Sequence, residues 1–277
     1  MKITIFTSNQ PRHINLINSL SKVSKKCFAI VEGKTIFPGR VKDFFHKSLL
    51  MEKYFKEVDR AEKIFFGDSK FILDGVNTKF IKHGDLNHLK KSDISDALKS
   101  DIYVVFGSSF IKGWLLDFLI KNKTINMHMG ISPYYRGSSC NFWAIFDDNP
   151  HLVGSTIHLL SKGLDSGKIL YHALPSKKFN DSYEYTMSSV KSAHASLAKR
   201  LKNGSIFKYK PIKQNFSFQI RYTKKVNFND NILRKFFKKK INKKNLKSNL
   251  MKKFDKRLFV LPHIIWFYKW VVLNRYE

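Results

Sequence analysis

Ile102-Tyr103-Val104-Val105-Phe106-Gly107-Ser108-Ser109 is the stretch that decides the fold class. Its first five residues are apolar throughout and rich in β-branched side chains, and Gly107 with two serines ends the run. A strand with no polar face to give to water is a strand covered on both sides. Residues 111–120 follow at helical spacing, and residues 124–128 form the next strand. The same rhythm runs through the preceding hundred residues. Residues 2–7 read as a buried strand, followed by Asn9-Gln10-Pro11-Arg12-His13 and a helical run over 14–20. A second apolar run over 27–31 leads into Gly33 and a turn at Phe37-Pro38-Gly39. Residues 41–65 read as a helix, 79–81 as a short strand and 93–99 as a short helix. Strands alternating with helices predict an α/β fold, a doubly wound and mostly parallel sheet. Ligands of such sheets sit at the carboxyl ends of the strands, where the strand order switches. The loops after Phe6, Phe106 and His128 are therefore the expected walls of one crevice.

The chain has 277 residues, of which 43% are hydrophobic, enough for one generous domain and a smaller appendage. The character changes near residue 205, so the expected division is 1–205 and 206–277. Phe216-Ser217-Phe218-Gln219-Ile220-Arg221-Tyr222 alternates like a single strand. Residues 224–257 are lysine-dense, with Phe236, Phe237, Ile241, Leu246, Leu250, Met251 and Phe254 at roughly helical spacing. The second unit is thus a basic, mainly helical C-terminal appendage. Two cysteines, Cys27 and Cys140, make neither a disulfide framework nor a metal site, and no metal is expected. The N-terminal apolar run is too short for a signal peptide, which points to a reducing cytoplasm. The run from Leu258 to Leu273 is broken by Pro262, His263 and Lys269, too short and too interrupted for a membrane span.

A net charge of +30 would suit an anionic partner. Lysine greatly outnumbers arginine, which AT-rich coding also produces without any partner. Both readings stand at this point. An RNA-grasping arm at 224–257 is disfavoured by the sparse arginine and by the lack of a base-stacking surface. Stable nucleic-acid binding is not expected. The lysines beside Trp266, Phe267, Tyr268 and Trp270 have the composition of a peripheral membrane contact. The same aromatics could instead pack on the main domain or across a homodimer.

Chemistry concentrates in two short stretches. The first is Ile125-Asn126-Met127-His128-Met129-Gly130-Ile131-Ser132-Pro133-Tyr134-Tyr135-Arg136-Gly137; the second is Lys162-Gly163-Leu164-Asp165-Ser166-Gly167-Lys168. Asn126 and His128 lie two apart on a strand, so their side chains leave the same face. An amide and an imidazole can donate to an oxygen that gains negative charge during acyl transfer. Asp165 can accept the proton of an attacking amine, directly or through water, and hold the imidazole. Each feature alone is an ordinary structural one; Asp165 by itself would be a turn residue. Their joint occurrence is what points to catalysis by Asn126, His128 and Asp165. His158 alternates with apolar neighbours and reads as packing, and Cys140 reads as filler.

The Asn-x-His strand end, the Pro-x-x-Arg-Gly loop and the later Gly-x-Asp-Ser-Gly turn resemble the folate-dependent formyltransferases, strongly over residues 100–172. The resemblance implies a Rossmann-like formyltransferase fold with N10-formyltetrahydrofolate as formyl donor. It implies a folate site against Phe106, Gly107 and Ser108 and the segment containing Gly163. Three departures from the commonest family pattern are Met129-Gly130-Ile131-Ser132, Ser138-Ser139-Cys140 and Lys168. None removes a catalytic group. Asn141-Phe142-Trp143 resembles the Asn-Phe-Trp of members that modify amino sugars on nucleotide carriers, so the expected acceptor is a nucleotide-linked amino sugar of surface polysaccharide. Arg12, His13, Arg136 and Asn141 are the candidate acceptor contacts, with Arg136 either meeting phosphate or shaping its loop. An initiator-tRNA formyltransferase would carry a C-terminal β-barrel, which residues 205–277 cannot build. Methionyl-tRNA and a lipid-linked amino sugar are the alternative acceptors.

Overall fold

Side chains alternate along a strand, and in the computed structural model of this chain that alternation fills two separate cores. The structure describes residues 1–35, 47–68, 74–176, 179–239 and 241–263. The turn expected at Phe37-Pro38-Gly39, the start of the helix expected from residue 41, and the tail from residue 264 lie outside them. In chain order come β1 (Lys2–Ser8), α1 (Pro11–Ser21), β2 (Lys26–Gly33), α2 (Leu49–Phe66), β3 (Val76–Lys82), β4 (Ile102–Val105), α3 (Gly113–Lys121) and β5 (Ile125–His128). Then follow β6 (Tyr135–Gly137), α4 (Cys140–Phe146), β7 (Ser155–Leu159), β8 (Ile169–Ala173), α5 (Ser182–Lys202), β9 (Arg221–Thr223), α6 (Asp230–Lys238) and α7 (Lys243–Lys253).

Seven strands form one sheet in the order β3-β2-β1-β4-β5-β7-β8. The first five are parallel, and β7 and β8 run antiparallel at one side. Ile3 and Ile5 of β1, Ala29 and Val31 of β2, and Val104 of β4 face α1 and α5 through Ile14, Leu16, Ile17, Val190, Ala193 and Leu197. Phe6, Phe28, Ile30, Tyr103 and Val105 fill the opposite core with Leu115 and Leu119 of α3. The sheet is thus mostly parallel and covered on both faces, as expected. Strand order reverses between β1 and β4, which puts a crevice at the carboxyl ends of β1, β4 and β5.

Some local expectations change. Residues 93–99 form two 3₁₀ turns, Lys91–Ile94 and Ala97–Lys99, because so short a run cannot offset the cost of nucleating an α-helix. Residues 216–222 are not one strand. The Asn215 side chain accepts from Ser217 N–H and folds Phe216–Phe218 into a turn, leaving only β9 extended. Phe216, Phe218, Ile220 and Tyr222 stay about half exposed, so among the described residues no surface buries one face of the alternation.

The appendage joins a third core. Phe228, Leu233, Phe236, Leu246, Leu250 and Phe254 are buried with Tyr135, Phe142, Trp143 and Tyr185. β9 pairs in parallel with β6, and Arg221 forks onto the Asp147 carboxylate at 2.6 and 2.7 Å. Helix α5 begins at Asp181, whose carboxylate accepts from Tyr183 and Glu184 N–H at 2.9 Å each. Its buried Ser188, Ser189 and Ser196 donate to carbonyls three residues back, which lets hydroxyls sit inside the core.

Two buried histidines make the fold acid-sensitive. His172 donates from Nε2 to the Ser132 carbonyl and accepts Val260 N–H at Nδ1, both at 3.0 Å. Burial pushes its pKa down to about 3. His194, facing Asn15 Oδ1 at 3.1 Å, is pushed down to about 3 by burial and by neighbouring cations. A histidine depressed in the folded state takes its proton first in the unfolded chain. Its stabilisation is therefore complete above the unfolded pKa near 6.5 and is lost as pH falls toward 3. Each such group can remove about 1.4 kcal/mol per pH unit across that window. Calorimetry should find Tm falling by about 10 °C between about pH 7 and about pH 4.5. A flat profile would mean these imidazoles find water on protonation.

Candidate functional site

The carboxyl ends of β1, β4 and β5 open into one cavity of about 580 Å³. Asn126, His128 and Asp165 all line it, as do Arg12, His13, Phe106, Gly107, Ser108, Asn141 and Gly163. That size suits a small-molecule site.

Asn126 and His128 leave β5 on one face because they are two residues apart. The partner strand adds a third group. Antiparallel pairing sets His158 of β7 directly opposite Asn126, and the Asn126 amide donates to His158 Nε2 at 2.9 Å. His158 Nδ1 lies 2.8 Å from the Leu159 carbonyl, so Nδ1 carries the hydrogen and Nε2 is free to accept. Burial lowers the His158 pKa against the opposing pull of Asp165, which keeps this neutral tautomer in place. The Asn126 amide is thereby oriented, with its second N–H left at the cavity it lines. Reading His158 as packing alone missed this contact. Only the strand pairing reveals it.

His128 is nearly buried, with Nδ1 3.4 Å from Asp165 Oδ1 and Nε2 3.3 Å from the Tyr135 carbonyl. Asp165 sits in the left-handed region at φ 48 and is held from two sides. Its Oδ2 accepts Gly137 N–H at 3.1 Å. Gln214 from the appendage donates to the Asp165 and Gly167 carbonyls at 2.9 and 2.8 Å. A Cβ on Gly167 would lie 1.6 Å from the Leu159 carbonyl, so only glycine lets the Asp165 turn meet β7.

Arg136 lies beside the cavity rather than in its wall. Its fork donates to the Leu164 carbonyl at 2.7 Å and to Gln219 at 3.0 Å, with Phe216 stacked 4.3 Å away. Those contacts tie the Arg-Gly loop to the Asp165 turn. Asn141 donates to Ser189 Oγ and accepts Gly154 N–H at 3.0 Å, so its amide joins α4 to α5 and β7. Arg12 donates from its backbone and Nη1 to Glu62, both at 2.8 Å, and its buried Nε has no hydrogen-bond partner among the described residues. His13 packs its ring edge on Phe106, and its Nδ1 is buried and unpartnered among them as well. Burial and the Arg12 charge hold the His13 pKa well below its usual value, so the ring is neutral. A Cβ on Gly107 would fall 2.4 Å from His13 Nε2 at a backbone φ of +65, so the close approach requires glycine. Lys34, Tyr54, Phe55, Thr186, Met187, Lys225 and Phe228 also line the cavity. Nothing local in the sequence marks them, because they converge from the end of β2, from α2, from α5 and from the appendage. Among the described residues no cluster of three metal-ligating side chains occurs, and no helix is long and apolar enough to cross a membrane.

No family model matches the chain. Over 87 residues it is 34% identical to the methionyl-tRNA formyltransferase of Finegoldia magna, a match spanning 31% of this chain and 27% of that protein. Over 117 residues it is 31% identical to the bifunctional polymyxin resistance protein ArnA of Wigglesworthia glossinidia brevipalpis, spanning 40% of this chain and 17% of that protein. Both matches therefore cover well under half of the relatives' length. Among solved structures, a Mycobacterium tuberculosis protein provisionally assigned as a sugar N-formyltransferase superposes over 92% of this chain and 88% of its own, with TM-score 0.50 and 16% identity. The chain has the formyltransferase fold. The resemblance read from the Asn-x-His and Gly-x-Asp motifs is borne out at that level. Within the formyltransferase fold, the two motif stretches are the ones that meet at the cavity.

Proposed function

We propose that this chain transfers the formyl group of N10-formyltetrahydrofolate to the amine of a nucleotide-linked amino sugar. The observation that carries the reading is the meeting of Asn126, His128 and Asp165 in the wall of one cavity, with His128 Nδ1 3.4 Å from Asp165. The donor supplies an activated formyl carbon. Val105, Phe106, Leu116, Met127 and Leu160 give the same cavity an apolar wall that fits a flat ring system, with Gly107 and Ser108 offering backbone groups beside it. Asn126, its amide fixed by His158, donates a hydrogen bond to the formyl oxygen as its charge grows, and His128 adds a second when its Nε2–H turns from the Tyr135 carbonyl, 3.3 Å away, to that oxygen. Asp165 takes the proton that the attacking amine loses, directly or through water, and the leaving N10 nitrogen of the donor gains one. No covalent intermediate with the protein is required, because the amine itself attacks.

Charge and shape support the acceptor class. Arg12, Lys34 and Lys225 line the cavity and suit the phosphates of a nucleotide carrier, and Tyr54, Phe55 and Phe228 supply aromatic surface near them. Residues 1–205 then hold the reacting groups, while 206–277 complete the acceptor wall through Lys225 and Phe228.

Mass spectrometry of reactions with N10-formyltetrahydrofolate and a panel of nucleotide-linked 3-amino and 4-amino sugars tests the reading. A mass gain of one formyl group on a panel member is expected. Formylation of methionyl-tRNA or a lipid-linked amine alone would replace the acceptor, and no transfer to any amine would overturn the reading.

A further inference from the structure

We propose that Glu32 and Asn87 are positioning residues that hold the loop over residues 107–112 in its folate-binding shape; this rests on the formyl-donor reading above. Glu32 stands at the end of β2, fully buried. A buried carboxylate is costly unless donors surround it. Here Oε1 accepts Gly84 N–H at 2.8 Å and the Ser109 hydroxyl at 2.7 Å, while Oε2 accepts Ser109 N–H. His83 Nδ1 lies 3.7 Å from Oε2. The order β2-β1-β4 means that this carboxylate reaches across the end of β1 to grip the loop that follows β4. Ser8 at the end of β1 is held as well, its hydroxyl donating to the Glu32 carbonyl at 3.0 Å.

Asn87 grips the far side of the same loop. Its Nδ2 donates to the Phe110 carbonyl at 2.9 Å and its Oδ1 accepts Lys112 N–H at 2.7 Å. Residues 107–112 have no helix or strand of their own, so these side chains supply the hydrogen bonds that regular structure would otherwise give. Ordering a loop costs about 1–2 kcal/mol per residue in backbone entropy. A loop ordered before binding spares the ligand that cost, which appears as affinity. Neither Glu32 nor Asn87 lines the cavity, whereas His83, Gly107, Ser108, Ser109 and Phe110 do. Both residues therefore act through the loop and not by touching a ligand.

Glu32→Gln keeps the volume but turns one acceptor into an NH2 that must face a donor. Asn87→Ala removes the second grip without touching the core. Titration calorimetry with folinic acid, on wild type and both variants, is the test, with steady-state kinetics beside it. The expected result is binding weakened about ten-fold or more in each variant, a matching rise in donor KM, and kcat and acceptor KM within about three-fold of wild type. Wild-type affinity in a folded Glu32→Gln variant would overturn the inference, as would equal losses for donor and acceptor. Should Glu32→Gln fail to fold, unchanged folinic acid affinity in Asn87→Ala overturns it. Absence of folinic acid binding in wild type would instead remove the donor reading itself, an outcome distinct from loss in the variants alone.

Discussion

Asp165→Asn should lower kcat by about a thousand-fold or more while leaving Tm nearly unchanged. The asymmetry follows from what the position asks of its side chain. Asparagine is one of the few residues other than glycine that tolerates the left-handed backbone, and Asp165 sits there at φ 48. An asparagine carbonyl can still accept Gly137 N–H, now 3.1 Å from Oδ2, and Gln214 binds backbone carbonyls that the substitution leaves in place. Two things disappear: the negative charge 3.4 Å from His128 Nδ1, and the group able to take a proton from the attacking amine. Kinetics and a thermal melt on the same preparation separate the outcomes. A variant with more than a tenth of wild-type turnover would remove Asp165 from the chemistry, and a large drop in Tm would mark it as a structural turn residue.

Gly137→Ala should combine the largest loss of stability with loss of turnover. Gly137 has φ +95, and an added Cβ would lie 2.0 Å from the Thr223 carbonyl, a backbone atom that cannot swing aside. β6 would have to separate from β9, breaking the join between the Arg136-Gly137 loop and the appendage. Gly137 N–H also holds Asp165, so displacement is passed directly to the site. The expected cost is about 3 kcal/mol or more, from backbone strain together with the clash. Gly204→Ala is the matched control: its φ of +71 carries the strain, but nothing lies within 4 Å of the added atom. Denaturant melts of both should find the Gly137 variant clearly the less stable. Equal costs would mean that β9 yields easily and does not hold the loop.

Much of this was legible residue by residue. The strands ending at Ser8, Val105 and His128 are written as apolar runs closed by polar or glycine punctuation, and the motifs at their ends fall where strand geometry requires. Helix α5 gave no such signal. Its buried face carries Ser188, Ser189, Ser192 and Ser196, whose hydroxyls blur the apolar period; those of Ser188, Ser189 and Ser196 are satisfied by the helix's own carbonyls. Arg136 was open between phosphate and loop because a guanidinium suits both. Its contact with Leu164 depends on the Asp165 turn, and those with Gln219 and Phe216 on a segment some eighty residues later in the chain.

The sequence by itself determined the layered sheet and singled out Asn126, His128 and Asp165 as the candidate site, since periodicity, two-residue spacing and a glycine-flanked turn are local properties. Tertiary structure alone decided that His158 orients Asn126, that Gln214 and β9 secure the Asp165 turn, and that Lys225 and Phe228 reach the cavity. These contacts join residues far apart in the chain. Which of them meet is set by strand order and packing, which no single stretch of sequence encodes.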